Sequence, residues 1–276
     1  MSPDPKFLSR PGKAAATASR KLGGGSVNDN RFPVTGRFLQ GRLRHAITTR
    51  EAQLFEKLFD PAEEFPDGTV LIKRGNLVNH STMLMEGFAV RVIEDDGGAQ
   101  IVSIHVPGDF MDLHAFPLKR LDHNIVALGP ARVAAVTHDK LRLIIDQEPH
   151  FARVLWFSTL LDAAIHREWI LKQGQLRAEG RAAHFFAEVW ERLAMVGLAE
   201  DDGFFAPLKQ VDIANICGTT AIHMNRVLRD LREGGVADFR RGRMRAPDKE
   251  RLHRHGRFKR DYLYGEGELA LTGDLD

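Results

Sequence analysis

Hydrophobic positions fall without period from Met1 to about Gln40, where Gly23-Gly24-Gly25 interrupts a polar, basic stretch. Residues 1–44 are therefore expected to be a structureless tail. Order begins at Thr48, which precedes Glu51 by the three residues of a capping box. The helix this predicts carries Leu54, Phe55, Leu58 and Phe59 on one face and stops at Pro61. From Phe65 to Val136 the texture changes to short β-rich runs broken by glycine. Asp67-Gly68 precedes Val70-Leu71-Ile72, and Met83-Leu84-Met85 leads into Gly87. Val90 and Val92 alternate towards Asp95-Asp96-Gly97-Gly98, a hairpin signal. Ile101 to Ile104, Asn124 to Leu128 and Ala131 to Val136 complete the series, the last two around Gly129-Pro130. Short strands at near-regular spacing predict a β-sandwich or β-roll.

Helical texture then takes over. Asp139 to Gln147 predicts a short helix ended by Glu148-Pro149. In Phe151 to Leu171 roughly two residues in three are apolar, more than one buried stripe needs. Such a helix has two faces to cover, one against the β-domain and one against a partner chain of the same kind; the alternative is a core helix covered wholly within its own chain. Arg177 to Gly197 predicts another amphipathic helix, with Phe185, Phe186, Val189, Trp190 and Leu193 on its buried side.

Two short helices follow around a glycine. Val211 to Ile216 forms the first, which stops near Gly218; Thr220 is placed to cap a second, Ala221 to Glu233, closed by Gly234-Gly235. On the second helix Met224, Val227, Leu228 and Leu231 make a buried stripe. The other side presents Ile222, Asn225, Arg226 and Arg229, which is helix-turn-helix geometry. Arginine can bond two acceptors of guanine, and asparagine the donor and acceptor of adenine. Two β-like runs, Val236 to Phe239 and Met244 to Ala246, flank Arg240-Arg241-Gly242-Arg243. They read as a hairpin wing whose arginines reach phosphates. The DNA-contacting set expected from this pattern is Thr220, Ala221, Ile222, His223, Asn225, Arg226, Arg229, Arg240, Arg241 and Arg243.

Composition narrows the function. The net charge is only +2, yet between Arg226 and Arg260 thirteen Lys and Arg face five Asp and Glu, which points to a local polyanion site. A single cysteine, Cys217, excludes an internal disulfide or a four-cysteine iron–sulfur cluster within one chain. Cys217 reads as a small buried residue of the first reading helix. His105, His114, His123 and His138 match no metal-ligand spacing, so no metal is expected. No apolar run reaches the roughly 18 residues of a membrane span, and no secretory signal is visible, so a cytoplasmic protein is expected. No phosphate loop or nucleophile elbow points to an enzyme. A β-roll sensor acting through protein partners is the alternative to a DNA-binding regulator; the arginine-rich wing argues against it.

From about Ala46 to Leu263 the layout resembles the Crp–Fnr superfamily of bacterial transcription regulators. The run Ile213 to Arg229 is similar to that family's DNA-reading motif. Asp67-Gly68, Lys73-Arg74-Gly75, Gly87 and Pro107-Gly108-Asp109-Phe110 are spaced as in its cyclic-nucleotide-type β-roll. The resemblance implies an α+β chain: a tail (1–44), a β-roll sensor (45–150), a long dimerisation helix (151–178), a winged helix-turn-helix (179–264) and a C-terminal tail (265–276). It further implies a homodimer joined through Phe151 to Leu171, near-palindromic double-stranded DNA sites, RNA polymerase as a partner, and Arg226 as the contact in mid recognition helix. An effector pocket would involve Asp109, Phe110, Met111, Asp112, Leu113, His114, Asp122 and His123. The chain departs from the cyclic-AMP-binding members here. Leu113 stands where their glutamate follows the Gly-Asp-Phe turn, and Arg120 to Asn124 contains no Arg-Ser pair. Asp122 would repel a cyclic phosphate. No cofactor is expected.

Overall fold

The computed structural model describes residues 31–96 and 98–265. Its first half is an antiparallel sheet of β1 (Glu63–Phe65), β2 (Val70–Ile72), β3 (His80–Asp95), β4 (Gly98–His105) and β5 (Asn124–Thr137). The order is β1-β5-β3-β4, with β2 also paired to β5. The sequence predicts several short runs; the structure joins them into two long strands, β3 and β5, kinked at bulges. The β3–β5 register shifts on either side of Glu86. Beside it Gly87 has φ 81°, and a Cβ there would lie 2.2 Å from the carbonyl oxygen of Pro130. The kink turns the sheet into a roll. Ile72, Leu84, Ala89, Met111, Ile125 and Val133 fill its inside.

Helix α1 (Thr49–Glu56) precedes the sheet, with both capping-box bonds between Thr48 and Glu51 formed. Short α2 (Ala115–Leu118) lies between β4 and β5. After β5, Thr137 caps α3 (His138–Gln147), and Pro149 both ends that helix and opens α4 (Pro149–Gln175). Twenty-seven residues make α4 about 40 Å long. Phe151, Val154, Leu155, Leu161 and Ile165 bury one side of it. The second half holds α5 (Ala178–Met195), β6 (Gly203–Phe205), α6 (Gln210–Ile216), α7 (Ala221–Glu233), β7 (Asp238–Arg240), β8 (Arg243–Arg245) and α8 (Lys249–Gly256). A small sheet, β6-β8-β7, closes this half. Helix α8, capped by Asp248 through the backbone N–H of Arg251, has no counterpart in the sequence reading.

The expected N-terminal tail needs correction over its last third. Phe32, Phe38, Leu39 and Leu43 are core residues, and the Phe38 ring lies 5.4 Å from Phe55 and 5.7 Å from Phe110. Val34 and Thr35 donate backbone N–H bonds of 2.8 Å to the Glu56 carboxylate. Arg42 Nε donates to the carbonyl of Leu263 at 2.9 Å, tying this segment to the far end of the chain. The packing runs through successive turns rather than a helix or strand, so no hydrophobic period marks it. Residues 1–30 lie outside the described residues, as do 266–276 of the expected C-terminal tail.

Replacing Gly87 by Ala should destabilise the sensor by roughly 2 kcal/mol or more, because the turn and the Pro130 carbonyl both refuse a Cβ. Urea denaturation followed by circular dichroism measures it; a midpoint unchanged from wild type would remove the bulge as a structural requirement.

Candidate nucleic-acid interface

Helix α6 and helix α7 meet at Gly218, whose φ of 59° makes the tight turn. Thr220 caps α7, its hydroxyl accepting from His223 N at 3.2 Å. Met224, Val227, Leu228 and Leu231 are buried and hold α7 against the rest of its domain. The other face is open: Ala221, Ile222, His223, Asn225, Arg226 and Arg229 are exposed. Asn225 Nδ2 donates to Gln210 Oε1 at 3.1 Å. Arg229 leans on Asp230 at 3.0 Å. Among the described residues Arg226 makes no ion pair, so its guanidinium is available to an outside acceptor.

The wing is the β7–β8 hairpin, turned at Arg241 and Gly242 with φ of 51° and 82°. Its arginines are not equivalent. Arg240 pairs with Asp238 at 3.1 Å, and Arg243 is held by Glu200. Arg241 is exposed at the turn and, among the described residues, carries no ion pair. The sequence puts three arginines on phosphates; the structure leaves Arg241 as the one least engaged within the chain.

The eight residues expected around an effector do not form one pocket. A cavity of about 690 Å³ opens between the roll, α4 and the α6–α7 turn, lined in part by Arg91, His114, His123, Asp162, His166 and Trp169. Of the eight, His114, Asp122 and His123 reach it. Met111, Asp112 and Leu113 point into the core, and Phe110 joins the phenylalanine cluster of Phe38, Phe55 and Phe59. Asp112 takes both the N–H and the hydroxyl of Thr82, and burial raises its carboxyl to about 7. Burial, aided by Arg91, lowers His114 to about 3 and pushes His123 down as well. These imidazoles are therefore neutral at physiological pH.

A cyclic phosphate does not fit the cavity chemically. Among the described residues Arg91 is the single Lys or Arg of its lining, and its guanidinium is already taken by Asp162 at 2.6 Å and by the Met111 carbonyl at 2.6 Å. The four histidines do not converge either. The His114 and His123 rings lie 5.3 Å apart at a tilt of 39°, but His138 bonds Ser81, and His105 sits 3.7 Å from Asp109. Among the described residues no group of three His, Cys, Asp or Glu is placed to hold a metal ion. Cys217 is buried, which pushes its thiol up to about 12.

Asp109 instead joins the two halves. Arg192 of α5 spans Asp109 Oδ2 at 2.6 Å and Glu188 Oε1 at 3.2 Å, with its side chain 3% exposed. Glu188 also accepts from Trp169 Nε1 at 3.0 Å and Tyr262 OH at 2.8 Å. Burial opposes the charge on Asp109, yet Arg192 and His105 hold its carboxyl well below the usual carboxylate range. A second joint forms at the edge strand β4. The Asn215 amide of α6 donates to the Ala99 carbonyl and accepts from the Ile101 N–H, and Gln100 reaches the Asn215 carbonyl. Sequence reading misses these partners because they are about 83 and 115 residues apart. The one available signal was polar residues, Glu188 and Arg192, on the face of α5 that also carries Phe185 and Val189.

Asp109→Asn should cost roughly 2–3 kcal/mol near pH 7 by leaving Arg192 short of a buried partner. The folded carboxyl titrates below its unfolded value of about 3.9, so its contribution is present above that pH and lost as pH falls below it. The wild-type advantage should therefore shrink under acid conditions. Equal stability gaps at neutral and at strongly acid pH would exclude the ion pair as their source.

Comparison with known proteins places both halves. Residues 62–148 match the cyclic nucleotide-binding domain family and residues 180–255 the Crp-like helix-turn-helix domain family. The chain is 23% identical over 191 residues to the anaerobic regulatory protein of Haemophilus influenzae, covering 69% of this chain and 74% of that one. It is 26% identical over 175 residues to the transcriptional activator protein FnrL of Cereibacter sphaeroides, covering 61% and 69%. Among solved structures, FixK2 from Bradyrhizobium japonicum superposes with a TM-score of 0.64 at 21% identity, over 70% of this chain and 96% of that one. TTHA1359 from Thermus thermophilus, a regulator of the CRP/FNR family, gives 0.53 at 17% identity, over 72% and 99%. At these identities the likeness to solved structures shows the fold.

Proposed function

The chain belongs to the Crp–Fnr superfamily of bacterial transcription regulators, and from that premise we propose that it binds near-palindromic DNA as a homodimer, one α7 in the major groove of each half-site. It acts as a regulator and not as an enzyme. The observation that carries the reading is the open face of α7: a helix buried along Met224, Val227, Leu228 and Leu231 presents outward Asn225 and Arg226, the latter without an ion pair among the described residues. Arg226 supplies base or phosphate contact, and Arg241 at the wing tip contacts phosphate. Thr220, Ala221, Ile222 and His223 border the same groove, with Arg229, Arg240 and Arg243 adding positive charge around it.

The dimer is read from the uncovered side of α4. Trp156, Leu160 and Ile170 are 66%, 52% and 72% exposed, and with Ala163 and Arg167 between them they repeat at alternating steps of four and three. That is the spacing of a coiled-coil seam. Two copies joined there set two reading helices about one DNA turn apart. Such a protein works in the cytoplasm with RNA polymerase as its partner in transcription. The described helices fit that setting, since none is long and apolar enough to cross a membrane. An effector in the cavity between roll, α4 and α6 would shift the equilibrium between two arrangements of the halves.

Arg226→Ala should cost about 1–3 kcal/mol of specific DNA affinity and relax base preference. Arg241→Ala should weaken all sequences alike and reduce the salt slope by about 1. Competition gel shifts over a salt series separate the two, and matching phenotypes would remove the division of labour. Leu160→Glu should convert dimer to monomer in sedimentation velocity and abolish tight binding to two half-sites. A dimer that survives this substitution would place the interface elsewhere.

A further inference from the structure

The tip of α7 differs in two ways from a surface that merely collects phosphates. First, Ile222 is 75% exposed, the most exposed large hydrophobic among the described residues. It is the second residue of α7, flanked by exposed Ala221 and His223, and the first turn carries no acidic side chain. An isoleucine facing water is left with uncovered apolar surface. In a major groove the same side chain meets the C5 methyl of thymine, whereas a carboxylate there would accept from the amino group of cytosine.

Second, the Asn225 amide is oriented from behind. Its Nδ2 donates to Gln210 Oε1 at 3.1 Å, and Gln210 Nε2 donates to the Ala221 carbonyl at 2.9 Å. Gln210 is the first residue of α6, so a side chain from one helix of the motif sets the amide plane on the other. One N–H of Asn225 is used in this way. Among the described residues the second N–H and Oδ1 have no partner, and they are the donor and acceptor that adenine N7 and N6 require. Ile222, Asn225 and Arg226 stand at i, i+3 and i+4 and so share one face.

We propose that each reading head recognises a guanine beside A·T pairs, with Arg226 on the guanine, Asn225 on an adenine and Ile222 on a thymine methyl. Gln210 is the positioning residue that sets the Asn225 amide. The proposal rests on the DNA-binding reading above and assigns the base chemistry of that same surface.

The test starts by selecting sites from a random duplex library with the full-length protein. Binding at fixed salt is then compared on selected duplexes carrying deoxyuridine for single thymines, which removes only the methyl, or 7-deazaadenine for single adenines, which removes only the N7 acceptor. The selected half-site should contain G next to A·T. For the wild type, one deoxyuridine should weaken binding about threefold to tenfold and one 7-deazaadenine about tenfold. Ile222→Ala should lose the first penalty and keep the second. Asn225→Ala and Gln210→Ala should lose the second and keep the first, and all three should retain the wild-type salt slope. A selected half-site of G·C pairs alone, or wild-type binding indifferent to deoxyuridine at every thymine, overturns the proposal. A full 7-deazaadenine penalty in Gln210→Ala removes the positioning role. Failure to select any sequence would sink the DNA-binding reading itself, a different outcome.

Discussion

Arg192 lies buried where the two halves of the molecule meet, and its guanidinium needs both carboxylates that face it. Asp109 comes from the turn of the β-roll and Glu188 from α5 one helical turn earlier. A buried guanidinium without partners would carry a large desolvation penalty, so the pairing forces α5 and the roll into one relative placement. Because α7 packs on α5, the direction in which Asn225 and Arg226 face follows from that placement. Arg42 adds a second cation near the same carboxylates, and burial lowers it to about 10. The 32–43 segment is thus part of the joint and not a leader that trails from it.

Helix α4 meets a different constraint. Its apolar residues surround most of the helix, and one flank is spent on the phenylalanine cluster and the roll. The other flank leaves Trp156, Leu160 and Ile170 in solvent. Exposed apolar surface of that kind marks an interaction face. The cavity beside α4 has its own logic. It is walled by the sensor, by α4 and by the α6–α7 turn together, so whatever fills it touches the reading motif directly through Ile216 and Gly218. Its cation is neutralised by Asp162, and burial lowers His114 and His123, which sets it apart from a phosphate-binding pocket.

Much of the chemistry at the DNA-facing surface was legible in the sequence because it is local. The spacing of Met224, Val227, Leu228 and Leu231 fixes which side of α7 is buried, and that alone turns Ile222, Asn225 and Arg226 outward. Thr48 with Glu51, Thr220 at the start of α7 and Gly218 at the turn act within a few residues of themselves. The long apolar stretch of α4 likewise announces two faces without naming what covers them. Such features depend on backbone geometry and on neighbours one turn away, and a linear pattern records both.

Tertiary structure decided the rest. The sequence treats Arg240, Arg241 and Arg243 alike; folding brings Asp238 and Glu200 against two of them and leaves the third at the turn. The family resemblance groups Asp109 to His114 with Asp122 and His123 as one pocket, whereas the roll sends Met111 and Asp112 inward and Asp109 across to Arg192. The linear pattern gives Phe32 to Leu43 no structure, because turns that follow the surface of other elements leave no period. A charged side chain is free, paired or buried according to what folding brings within about 4 Å of it, and attraction at that range is indifferent to distance along the chain.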